Sequence, residues 1–148
     1  MGQLLVFLNM ALVATAQISG ADGWIDESVD PVPDRFNGQL LLQAERCLRE
    51  RVPQLTALRC TGLYGPGRSG LLARALRGEV GDSHWTNRIR IEDAARAAQW
   101  CVMTDAPPAQ VIATDLLPLR EWDALRALRS LREAEDVCGE SPDENGSG

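Results

Sequence analysis

The chain has 148 residues, of which 45% are hydrophobic and 24% charged, enough for one domain with its own core and too few for two. Asp and Glu number 21 against 15 basic residues, a net charge of -6, which disfavours binding to nucleic acid through phosphate neutralisation. All 15 basic residues are Arg; with no Lys, one His (His84) and one Tyr (Tyr64), the sequence excludes a Walker-type P-loop, Schiff-base chemistry and a multi-His metal site.

Leu4 to Ala16 is apolar, and Ala14-Thr15-Ala16 has the form of a signal-peptidase site. No positive charge precedes it, since the first basic residue is Arg35, and Asn9 interrupts the run. The segment is too short to span a bilayer. The alternatives are a buried strand over Met10 to Ile18 in a cytoplasmic protein, or a leader of a secreted one. Gly20 to Asn37 reads as loop, rich in Gly, Pro and acids. Gly38 to Arg51 has helical spacing, with Pro53 just beyond its end. Leu55 to Leu63 fits a buried strand. Leu71 to Arg77 predicts a helix closed by Gly78. Arg88 to Ile91 predicts a short strand, and Glu92-Asp93 opens a helix running to about Met103. Gln110 to Ala113 predicts a strand and Leu119 to Val137 a long helix. Residues 138–148 read as a disordered polar tail after a domain spanning 1–137. Strands alternating with helices give an α/β fold with a largely parallel sheet.

Cys47, Cys60, Cys101 and Cys138 form no C-x-x-C pair, so they read as small buried hydrophobes and not as a zinc site. Trp24, Trp85, Trp100 and Trp122 read as packing residues, and His84 as an exposed loop residue. Gly65-Pro66-Gly67-Arg68-Ser69-Gly70 matches G-x-G-x-x-G between a strand and a helix, with Asp82 and Glu92 downstream. Pro66 lacks an N–H in a loop meant to donate them, and the preceding strand is not the first. A glycine-rich strand-to-helix turn accounts for the same letters.

Leu58 to Arg68 (LRCTGLYGPGR) resembles the "LR-x-x-G-x-YGPGR" segment of the NAD-dependent epimerase/dehydratase family, the extended short-chain dehydrogenases. Four further segments resemble the family in its order: Met10 to Gly20, Gly23 to Ser28, the helix Gly38 to Glu45, and Asn87 to Ala95 (NRIRIEDAA). The resemblance implies an incomplete Rossmann-like parallel sheet with flanking helices. It also implies that the chain corresponds to the C-terminal half of a protein roughly twice as long, without the N-terminal dinucleotide-binding half. It implies NAD or NADP as cofactor, with Tyr64, Gly65 and Pro66 near the nicotinamide ribose, and a nucleotide-sugar or other small molecule near Asn87, Arg88 and Arg90. The family's catalytic Ser or Thr, Tyr and Lys fall on Ala16, Asn37 and Leu41; a one-residue slip replaces Asn37 by Phe36. None of these side chains performs the family's proton transfer. No catalytic residue and no metal ligand is therefore expected. Three readings follow: a truncated or degenerate member without independent catalysis, an active enzyme completed by another chain, or a small interaction module. A homodimer or partner chain is expected over the exposed half-sheet, with no nucleic acid or membrane partner.

Overall fold

A computed structural model describes residues 5–9, 25–33 and 36–139. The elements are β1 (Leu5–Asn9), α1 (Phe36–Arg51), β2 (Leu55–Cys60), β3 (Gly62–Tyr64), α2 (Gly70–Leu76), β4 (Trp85–Thr86), β5 (Arg88–Arg90), α3 (Ile91–Met103), β6 (Gln110–Ala113), β7 (Leu119–Arg120) and α4 (Glu121–Gly139). Strands β1, β2 and β6 form a parallel sheet in that order, with Leu5 opposite Leu55 and Cys60 opposite Ala113. Two small pairs complete the strands: β3 with β5, parallel, and β4 with β7, antiparallel.

Every residue of β2 is buried, because a central parallel strand is covered on both faces. Leu58 and Cys60 face α3, joining Ala94, Cys101, Ile89 and Ala113 in the core. The opposite face carries Arg59, which meets Glu45 of α1. Arg59 Nη2 donates to Glu45 Oε1 at 2.8 Å and Arg59 Nε to Oε2 at 3.2 Å. Arg49 Nη2 adds a bond to the same carboxylate at 3.0 Å and another to the Ala109 carbonyl at 3.0 Å. Helix α1, strand β2 and the entry to β6 are thus joined through one acid. Glu27 guards the outer side of β6: its Oε1 accepts the Ile112 N–H at 2.8 Å, and its carbonyl accepts from the Gln110 side chain. With its Ile112 amide filled, this edge strand is a poorer template for pairing with another chain.

The α/β class and the incomplete Rossmann-like parallel sheet are as the sequence implies. Several boundaries differ for physical reasons. The first described strand is Leu5–Asn9, and it includes the Asn9 that breaks the apolar run; Met10 to Ile18 lies outside the described residues. Backbone pairing with Leu55–Arg59, which is indifferent to side-chain polarity, carries the strand through Asn9. The run Leu55 to Leu63 is two strands. The Thr61 N–H bonds the Ala113 carbonyl at 3.1 Å, whereas the Gly62 N–H bonds the Asn87 carbonyl at 3.2 Å, so the chain changes sheets between them. Helix α4 starts at Glu121, because Leu119 and Arg120 pair with Thr86 and Trp85. It runs to Gly139, two residues past the predicted end; residues 140–148 lie outside the described part.

Cys60 and Cys101 are fully buried as expected, but Cys47 is exposed, and the Cys138 side chain lies outside the described residues. Trp85, Trp100 and Trp122 are each about half exposed and are not core residues; Trp24 lies outside the described part. Arg120 lies over the Trp85 ring, 4.7 Å from its centroid, and 5.9 Å from that of Trp122. These indoles therefore serve a cation on the surface.

Burial pushes the Glu45 carboxyl up, but the hydrogen bonds from Arg59 and Arg49 outweigh it and hold it below the ordinary glutamate range. A depressed carboxyl contributes stability above its unfolded value and loses it as pH falls through its folded value. Urea melts should therefore show a loss of stability below the ordinary glutamate range that Glu45→Gln largely lacks. Glu45→Ala should cost about 3–5 kcal/mol at neutral pH, since it strands a buried guanidinium. Gly81 sits at φ +73, and a Cβ there would lie 2.9 Å from Leu125 Cδ1. Gly67 has φ +74 with open space around it. Gly67→Ala should cost about 1 kcal/mol from backbone strain alone, and Gly81→Ala roughly twice that or more, as read by thermal unfolding.

Candidate functional site

The change of sheets at Thr61–Gly62 assembles the site. Strand β3 leaves β2 and pairs with β5 in parallel, placing Gly62 opposite Arg88 and Tyr64 opposite Arg90. The YGPGR and NRIR segments therefore lie side by side. All six residues singled out from sequence, Tyr64, Gly65, Pro66, Asn87, Arg88 and Arg90, belong to this pair of strands or adjoin it. Ile89 points into the core, so Arg88 and Arg90 share the other face.

Gly65 follows β3 with φ +121, and a Cβ there would lie 3.2 Å from Ile91 Cγ2 and 3.5 Å from Glu92 Oε2. Only glycine suits both the backbone angle and the approach of α3. The Arg68 N–H donates to the Gly65 carbonyl at 2.9 Å, closing a tight turn. That bond uses an amide, Pro66 has none, and the following α2 has only seven residues. The G-x-G-x-x-G segment is thus a turn into α2 and does not fit a pyrophosphate cradle.

The two arginines differ sharply. Arg90 is exposed and donates through Nε to Glu92 Oε2 at 2.8 Å. Asp93, the other acid in the first turn of α3, takes Arg96 three residues on, at 2.6 Å. Arg88 is half buried. Its Nη1 donates to Thr86 Oγ1 at 2.6 Å, the one hydrogen bond of its guanidinium among the described residues. Burial pulls the Arg88 guanidinium below its ordinary range; the negative charge of Glu121 opposes this, and the positive charge of Arg74 adds to it. Arg74 itself is bound to Glu121 and Glu79, each at 2.6 Å. Asn87 is half buried, and its carbonyl accepts the Gly62 N–H.

Tyr64 is partly exposed, and its hydroxyl donates to Asp115 Oδ2 at 2.8 Å. That bond raises the Tyr64 pKa above the ordinary tyrosine value; desolvation and the Asp115 charge add to the rise. Asp115 follows β6, and no pattern in the sequence marked it. A second cluster missed from sequence is Asp82, His84 and Glu121, whose ligand-type atoms lie within 4.8 Å of one another. The oxygens of Glu121 accept from Arg74 Nη1 at 2.6 Å and from the Asp82 N–H at 3.3 Å.

At the positions of the family's catalytic Tyr and Lys, Asn37 is exposed in the first turn of α1 and Leu41 is half buried. Phe36 is exposed, and Ala16 lies outside the described residues. No helix among the described residues is long and apolar enough to cross a membrane.

No family model matches the sequence, and no curated protein matches it. Solved structures do. A provisionally assigned NAD-dependent epimerase/dehydratase from Methylobacillus flagellatus is 31% identical, with a TM-score of 0.73 over 86% of this chain and 47% of that one. A dTDP-4-dehydrorhamnose reductase from Clostridium acetobutylicum is 17% identical, with a TM-score of 0.75 over 88% of this chain and 47% of its own. A dTDP-glucose 4,6-dehydratase from Bacillus anthracis, solved with NAD, is 14% identical, with a TM-score of 0.69 over 88% and 46%. The last two likenesses are of fold alone. The chain spans about half the length of these proteins. The fold and the likeness in sequence together make this chain similar to about half of an NAD-dependent epimerase/dehydratase.

Proposed function

We propose that the chain is the substrate-side half of an NAD(P)-dependent epimerase/dehydratase-like protein, binding the diphosphate of a nucleotide-sugar and running no oxidoreduction by itself. The observation that carries this reading is Arg88. A half-buried guanidinium with a single hydroxyl partner among the described residues bears a desolvation cost that an anionic ligand would offset. Its free N–H groups suit the forked contact that arginine makes with phosphate oxygens. Arg90 lies two residues along the same face and serves as a rim contact, in exchange with Glu92. Asn87 adds an amide beside them. Tyr64, Gly65 and Pro66 form the adjoining wall, where the nicotinamide side of NAD or NADP would rest. No phosphate-binding loop for the dinucleotide occurs among the described residues, so cofactor affinity by this chain alone is expected to be weak.

The reading without catalysis rests on Asn37 and Leu41. An amide and an alkyl side chain supply neither the phenol nor the ammonium of the family's proton relay. The purified chain should show no NAD(P)H turnover with UDP-glucose.

Isothermal titration with UDP is the direct test. Wild-type binding is expected, with Arg88→Met weakening it by roughly tenfold. The same substitution should leave stability unchanged or raise it by up to about 1 kcal/mol, because it removes a buried charge without a carboxylate partner. Unaltered UDP affinity together with a large loss of stability would make Arg88 structural and defeat the proposal.

A second reading, an enzyme completed by another chain, draws on the half-length match to the solved structures. The outer side of β1 pairs with no described strand, so a homodimer or a partner chain would complete the sheet there. Sedimentation should then show a species larger than the 16.2 kDa monomer. A monomer at high concentration that gains no NAD affinity from any co-expressed chain would count against it.

A further inference from the structure

We infer that Asp115 is the positioning residue of this site, holding the Tyr64 ring and the Arg88 backbone in one ligand-facing wall. The inference rests on the proposed function for the ligand and on geometry for the latch. Asp115 works in two directions. Its Oδ2 accepts the Tyr64 hydroxyl hydrogen at 2.8 Å, and its N–H donates to the Arg88 carbonyl at 2.6 Å. Thr114 Oγ1 lies 3.4 Å from the same carbonyl and 3.1 Å from that of Asp115. Three segments meet at this point: the end of β3, the start of β5 and the turn leaving β6.

The strands alone do not supply this order. The β3–β5 pairing fixes the backbone of Tyr64, but its ring sits at a strand end and is partly exposed, with free side-chain torsions. The carboxylate pins the ring. It also sets the polarity of the phenol: with its hydrogen given to Asp115, the Tyr64 oxygen faces a ligand as an acceptor. One face of the β3–β5 pair therefore carries guanidinium donors at Arg88 and Arg90 and an acceptor at Tyr64. That pattern suits a phosphate carried next to a hydroxyl group.

The chain has one tyrosine, so phenolate absorbance follows Tyr64 alone. The charged groups acting on it are Asp115 and Asp93, which raise its pKa, and Arg90, which lowers it. In Asp115→Asn and Asp115→Ala the titration midpoint should fall below that of the wild type. A midpoint unchanged in both overturns the inference. The second measurement is UDP affinity in variants whose far-UV spectra and urea melts show them folded. Asp115→Ala should weaken UDP roughly fivefold. Asp115→Asn, whose amide oxygen still accepts the Tyr64 hydrogen, should stay within about twofold. Equal losses in the two variants, or none in Asp115→Ala, also overturn it. If wild-type protein binds no UDP, the proposed function fails separately, and the phenolate midpoint alone decides whether Asp115 holds Tyr64.

Discussion

Glu45 meets two arginines inside the fold, and the arrangement of the larger sheet depends on that meeting. A lone carboxylate or guanidinium in such a place would be costly. Here the Glu45 carboxylate accepts four hydrogen bonds, two from Arg59 and two from Arg49. Arg49 passes on to the Ala109 carbonyl, where β6 begins. One acid thus sets the helix over the central strand and anchors the next strand beside it. Apolar contacts would hold the same layers together, but with less control over their rotation and register. Forked charge-assisted bonds accept few geometries.

That anchoring places β2, and β2 determines where the chain can turn away. At Cys60 the strand is deep in the core; at Gly62 the chain has joined β5. The short β3 then delivers Tyr64 to Arg90, Gly65 to the start of α3, and the Tyr64 hydroxyl to Asp115. The proposed ligand wall is a consequence of a sheet changing partners, not of a specialised loop.

The arginine-only composition gives this surface its character. Arg74, Arg77, Arg90, Arg96 and Arg126 each pair with a carboxylate, mostly near at hand in the sequence. Such exposed pairs add little stability individually. Arg88 differs in being half buried and bonded to a hydroxyl. The contrast between neighbours two residues apart on one strand separates a solvated ion pair from a candidate anion site.

The alternation of strand and helix was legible from the letters, because apolar periodicity and Gly or Pro punctuation are local properties. So was the grouping of YGPGR with NRIR, through likeness to a family that keeps both segments. The absence of a tyrosine and a lysine at the start of α1 was equally plain. What the letters did not disclose was set by contacts between distant parts of the chain. Leu55 to Leu63 reads as one strand, yet two hydrogen-bond partners far apart in sequence divide it. Trp85 and Trp122 look like core residues by type, and a cation at Arg120 keeps them at the surface. Asp115 carries no sequence signal at all, since its role exists only once β6 ends beside Tyr64. Residue order fixes local conformation and which chemical groups are available; only the folded sheet decides which of them meet, because hydrogen bonds and ion pairs act over a few ångströms of space and not along the chain.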